Sequence, residues 1–188
     1  MKERIIELLK STERKGIENL IKHMDESDFF NAPCSTQFHN AFDGGLAAHS
    51  LNVHDTMLEV LSGITFDKLQ NMNDGNIIIV SLLHDLGKAN YRGKENYIPN
   101  FLKSGQLSAT KPYITNSNRL PIPHETVSVI VASQFIELTE EEEFAILYHN
   151  GMYVPSGRDI SGKERPLQQL LHFADMWCSR FIETKGDE

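Results

Sequence analysis

Apolar residues recur along this chain at intervals of three and four, the spacing that gathers one stripe on an α-helix. Ile5, Leu8 and Leu9, with Ile6 beside them, mark a first helix. Gly16 interrupts it, and Ile17, Leu20, Ile21 and Met24 mark a second, so residues 1–30 read as N-terminal helices. From Asp25 to Phe42 the period is lost, with Pro33 and polar residues between aromatics. Gly44-Gly45 opens a long helix with Leu46, His49, Val53, Met57 and Val60 on roughly one face. Asn73-Asp74 supplies a cap for the next helix, whose run of Ile77, Ile78, Ile79, Val80, Leu82 and Leu83 stops at His84-Asp85. Val127, Ile130, Val131 and Phe135 mark another. Thr139 and Glu142 have the spacing of a capping box, and the helix they start ends at His149-Asn150-Gly151. Pro166 suits the first position of a last helix carrying Leu170, Phe173, Ala174 and Trp177.

Two stretches have no period. Residues 88–123 are polar, with Gly, Pro and Asn throughout, and residues 152–165 form a second loop. A loop as long as the first, inside a compact domain, usually carries function. Within it, Tyr113 to Leu120 is expected to fold as a short hairpin around Asn116-Ser117-Asn118. The pattern therefore predicts an all-α helical bundle, one domain over residues 1–188, with a small β-hairpin in the 88–123 loop.

Composition narrows the function classes. A chain of 188 residues, 40% hydrophobic and 23% charged, is large enough for a real core. No stretch approaches the roughly 18 uninterrupted apolar residues of a membrane span, and Met1-Lys2-Glu3-Arg4 leads into a charged amphipathic stretch instead of a signal peptide. Only Cys34 and Cys178 are present, too few for a disulfide framework, so a reducing cytoplasm is the expected location. A net charge of −8 argues against duplex nucleic acid as a partner. It leaves room for a small anionic substrate, because bound cations reverse the local field.

The chemistry concentrates where the buried run 77–83 stops. His84 and Asp85 sit side by side there, followed by Gly87 and Lys88. Buried ionisable groups are costly unless they are paired or bind a metal. Neighbours on a helix point about 100° apart, so two adjacent side chains converge on one ion only at a helix end, and Gly87 is placed to make one. The bland reading is a buried hydrogen-bonded pair. Four further residues, His49, His124, His149 and Asp175, weigh against it, each near a helix end or on an inward face. Their own bland readings are a core histidine for His49, partnership with Glu125 for His124, a helix C-terminal cation for His149 and an ion pair for Asp175. His172 reads either as a support behind a neighbouring ligand or as structural, His23, His39 and His54 as surface or core, and Glu140 to Glu143 as a charged first helical turn.

The order His49, His84-Asp85, His124, His149, Asp175 resembles the HD superfamily of metal-dependent phosphohydrolases. The segments that carry the resemblance are 44–50, 82–88, 120–125, 145–151 and 170–175, so it covers roughly residues 36–183. HDxGK after an apolar run is fairly specific. Relatives with two extra histidines between the His-Asp pair and the last Asp bind two metals, and this chain has both. The resemblance implies His49, His84, Asp85 and Asp175 around one divalent ion, with Asp85 bridging to a second held by His124 and His149. Mn, Fe, Ni, Co, Zn and Mg all fit such ligands. It implies hydrolysis of a phosphate ester by metal-bound hydroxide, with Asp85 and Lys88 catalytic and Lys88 on a phosphate oxygen. The expected substrate is a small phosphorylated molecule, a nucleotide or short oligonucleotide. Tyr91, Arg92 and Arg119 are positioned to touch it. Two alternatives stand beside this: a mononuclear nucleotidase, and a non-catalytic nucleotide-binding module that kept the fold. Pro123-His124-Glu125-Thr126 lacks the glycine and lysine that related chains often carry after this histidine, so the substrate contacts there differ.

Overall fold

The apolar run of residues 77–83 is buried on every side, as expected for a helix without a polar face. In the computed structural model, which describes residues 1–63 and 72–184, that run is the central helix α4, Asp74–Leu83. Around it lie α1 (Lys2–Ser11), α2 (Ile17–Glu26), α3 (Gly45–Gly63), α5 (His124–Ala132), α6 (Glu140–Leu147), α7 (Pro155–Arg158) and α8 (Pro166–Trp177). Helices α1, α3, α6 and α8 all pack on α4. The described residues are thus mostly helical, with one two-stranded antiparallel hairpin between α4 and α5. None of the described helices is long and apolar enough to cross a membrane.

The local signals act as the pattern predicts. Ile17, Leu20, Ile21 and Met24 are all buried. The Asn73 side chain accepts from Gly75 N at 2.8 Å, capping α4. Thr139 and Glu142 form the reciprocal capping box of α6. Glu142 has a second role: its side chain is fully buried and is forked by the Arg14 guanidinium, with Nη1 2.8 Å from Oε2. The link between α1 and α2 is thereby tied to the start of α6. Gly16 makes the same join possible, because at φ +90 a Cβ there would lie 1.9 Å from the Phe135 carbonyl oxygen.

Three expectations are corrected. The hairpin pairs Tyr97–Pro99 (β1) with Tyr113–Thr115 (β2), in the register Tyr97↔Thr115, Ile98↔Ile114, Pro99↔Tyr113. Asn116-Ser117-Asn118 does turn, with Asn118 N on Asn116 Oδ1 at 3.0 Å. The chain beyond it does not return, because the Arg119 guanidinium is held by the carbonyls of Gly87 and Ala89 at 2.6 and 2.8 Å. Arg119 is not among the residues lining the cavity beside the His84-Asp85 turn. Second, the 152–165 loop contains a one-turn helix, α7. Third, Phe173 and Trp177 lie outside the core, at 40% and 41% exposure, and stack on each other. The inward face of α8 is centred on Leu167, Leu171, Ala174 and Cys178. At 3.6 residues per turn, positions 173 and 177 fall about 90° or more to one side of it.

Candidate metal centre

His84 and Asp85 converge because the helix ends between them. His84 is the C-cap of α4, and Asp85 leaves the helix at φ −104, ψ 9 before a 3-10 turn over Leu86–Lys88. Gly87 is not among the positive-φ residues, so its role is not the left-handed stop expected of it. Its role is close approach: a Cβ would lie 2.0 Å from the His124 carbonyl oxygen. The turn and the first residues of α5 therefore touch. Ser128 joins them, accepting from Gly87 N at 2.8 Å and donating toward the carbonyls of His84 and His124.

The structure brings all six predicted residues together. His49 Nε2, His84 Nε2 and Asp85 Oδ2 form a triangle with sides of 3.3, 3.4 and 3.6 Å. Asp175 Oδ1 lies 3.2 Å from His49 Nε2. On the other side, His124 Nε2, His149 Nε2 and Asp85 Oδ1 form a second triangle with sides of 3.1, 3.4 and 3.7 Å. Ligands about 2.1 Å from a common ion lie about 3.0 Å apart at octahedral and about 3.4 Å apart at tetrahedral angles. Both triangles have sides of that size. One carboxylate supplies one oxygen to each, and Asp85 Oδ1 is buried with no hydrogen-bond partner. An orphaned buried carboxylate oxygen is costly, and a cation satisfies it. The donor set of imidazoles and carboxylates fits divalent ions of the Mn-to-Zn series.

Each imidazole is held so that Nε2 faces the centre. His84 Nδ1 donates to Ser81 O at 2.9 Å, and His149 Nδ1 to Ile146 O at 2.7 Å. His49 Nδ1 lies 2.9 Å from Glu183 Oε2, and Asn52 Nδ2 donates to the same carboxylate. His124 Nδ1 faces Glu125 at 3.3 Å. Outer partners of this kind fix the tautomer and orient metal-binding histidines. Glu183 and Asn52 are positions of this centre that the sequence pattern missed. They lie 131 residues apart on elements with no shared motif, and nothing local flags them. His172 donates to the His149 carbonyl at 2.7 Å, the structural role expected of it. Cys34 and His39 also lie against this centre, contrary to the reading of His39 as surface or core.

The charges follow from this packing. Burial disfavours the His49 imidazolium, but the Asp175 and Glu183 carboxylates outweigh it and hold its pKa well above the usual value. Burial also opposes the Asp85 carboxylate, and Lys88, His84 and His124 overcome this to keep it ionised. Lys88 Nζ sits 2.7 Å from Asp85 Oδ2, and that charge raises its pKa despite burial. His149 is pushed down to about 3 by burial and by His84, leaving a neutral ligand.

This last shift predicts acid sensitivity. Between about pH 6.5 and 3 the unfolded chain protonates this histidine and the folded one does not, so stability falls with pH by about 1.4 kcal/mol per unit. Thermal midpoints of chelator-treated protein should decline as pH drops from 6.5 to 4. The decline should be shallower in His149→Gln. Equal slopes in the two proteins would contradict the neutral buried imidazole.

A cavity of about 500 Å³ opens onto this centre, lined by Lys88, His149, Asp175, Arg180, Phe38 and Tyr153 among others. Tyr91 and Arg92 are not among its lining residues; Arg92 lies over the Tyr91 ring instead. Compared with models of known protein families, with curated proteins and with solved structures, the chain matches none.

Proposed function

We propose that this chain is a dinuclear, HD-type metal-dependent phosphohydrolase acting on a phosphate ester of a nucleotide or short oligonucleotide. The observation that carries the reading is the Asp85 carboxylate. Its two oxygens each face a separate pair of imidazole Nε2 atoms, and one of them has no hydrogen bond. His49, His84, Asp85 and Asp175 would hold one ion, and Asp85, His124 and His149 the other. Bound there, divalent ions would lower the pKa of water and offset charge on the transferred phosphoryl group.

The protein's own residues do the rest. Glu183 holds the His49 Nδ1 proton, and the Ser81 and Ile146 carbonyls hold those of His84 and His149. These contacts point Nε2 of all three rings at the same centre. Lys88 keeps its charge at the floor of the cavity, where it faces both Asp85 and an entering phosphate oxygen. Arg180, lying over the Tyr153 ring at 5.5 Å, adds a second cation to the lining, and Phe38 offers an exposed aromatic face suited to stacking a base. The volume is that of a small-ligand site.

Metal content tests the reading. Protein purified without chelator should carry close to two transition-metal ions per chain by elemental analysis, and His124→Ala close to one. One ion in both proteins would reassign the site as mononuclear, with His124 and His149 structural.

A further inference from the structure

Beside the dinuclear centre lies a second donor set, one that includes sulfur. Cys34 Sγ is 3.4 Å from His39 Nε2. These two atoms and a ring nitrogen of His49 all lie within 4.8 Å of one another. The His39 and His49 rings are 5.2 Å apart, and Lys88 Nζ is 3.9 Å from the sulfur. Cys34 is fully buried.

The loop that presents the pair is fixed by its own backbone. Cys34 N donates to Asn40 O at 3.1 Å. Ser35 Oγ donates to the His39 carbonyl at 2.6 Å and accepts from the backbone N–H groups of Phe38 and His39 at 3.1 Å. Gly45 seals the loop against α3, since a Cβ there would lie 1.9 Å from Asn40 O. Thiol and imidazole are therefore held in place before any ligand arrives.

From this arrangement we infer that Cys34, His39 and His49 form a separate site for a thiophilic divalent cation such as zinc, and that this site competes with the dinuclear centre for His49. Thiolate and imidazole together select soft or borderline ions, whereas the imidazole and carboxylate set next to it also accepts harder ones. Binding replaces the Cys34 thiol proton with the metal–sulfur bond, and the proton leaves to solvent. Nδ1 of His49 is held by Glu183, so an ion here competes by taking Nε2, the atom that otherwise faces His84 and Asp175, and its occupancy then empties the first position of the dinuclear centre. The sulfur site stands on its own geometry; the competition rests on the metal role proposed for His49.

Cobalt(II) is the probe, because a cobalt–thiolate bond gives a near-ultraviolet charge-transfer band that nitrogen and oxygen ligands do not. Metal-free full-length protein titrated with Co(II) should develop this band. Cys34→Ser should lose it, His39→Ala should weaken Co(II) binding at it at least tenfold, and Cys178→Ser should keep it. Zinc added afterwards should bleach the band at one equivalent. No band in the wild-type protein, or a band that persists in Cys34→Ser, overturns the site. Neither result depends on turnover, so the phosphohydrolase reading stands or falls separately. If the band appears but zinc fails to inhibit hydrolysis in the wild-type protein relative to Cys34→Ser, the competition is overturned.

Discussion

Replacing Asp85 by Asn should abolish hydrolysis, by at least about 10³-fold in kcat, and should strip the protein of both metals. The amide has the shape of the carboxylate but neither its charge nor two equivalent acceptor oxygens. Both donor triangles share this one group, so neither of the two proposed ions would keep a carboxylate from it. Lys88, whose Nζ lies 2.7 Å from Asp85 Oδ2, also loses its counter-charge in a mostly buried position. Removing one partner of a buried pair costs about 3–5 kcal/mol, so a lower melting temperature should accompany the loss. Asp175→Asn should be milder, because that side chain is partly exposed and belongs to one donor group only, with His49 and His84. The check is a parallel measurement of metal content, melting temperature and hydrolysis of a panel of nucleotide esters. Asp85→Asn protein that hydrolyses any of them within tenfold of wild type would remove the basis of the proposed mechanism.

Gly87→Ala should do comparable damage by a different route. The added Cβ would sit 2.0 Å from the His124 carbonyl oxygen and 2.9 Å from Val127 Cβ. Neither neighbour is a flexible side-chain tip, so α5 must shift away from the 86–88 turn. Overpacking of this kind costs about 1–3 kcal/mol or more. The shift also breaks the Ser128 bridge between Gly87 N and the His84 and His124 carbonyls. His124 is the first residue of α5, and its Nε2 moves with the helix. Misplacing a reacting group by 1 Å can reduce a rate about 10²-fold. The expected outcome is a destabilised protein with one ion in place of two and activity down about 100-fold. Ser128→Ala, which removes the bridge and adds no bulk, should show the same changes to a smaller degree. Normal metal content and activity in Gly87→Ala would show that the close approach of turn and helix is not what places His124.

How much of this was legible follows from the range over which each signal acts. The stripe at 17, 20, 21 and 24, the Asn73 cap and the Thr139–Glu142 box are spacings within one or two turns, and all three are present in the structure. The convergence of His84 and Asp85 at a helix end was also a local argument, and the dihedral angles of Asp85 bear it out. Burial of α8 was legible only in part. A stripe reading admits Phe173 and Trp177, yet which flank faces solvent depends on where α3, α4 and α6 lie.

By itself, then, the sequence determined the longer helices, the caps of α4 and α6 and the six residues whose order resembles a metal-binding pattern, because these depend on propensity, periodicity and spacing. Tertiary structure alone decided the partners. Glu183 meets His49 across 134 positions, Arg14 meets Glu142 across 128, and β1 rather than the segment after Asn118 pairs with β2. Contacts at such separations leave no local trace, since any of many acidic or polar residues would satisfy the same hydrogen bond. Gly87 combines both kinds of information. A glycine after His-Asp was visible along the chain, but the reason for it, a carbonyl of α5 pressed against its α-carbon, exists only once the helices have packed.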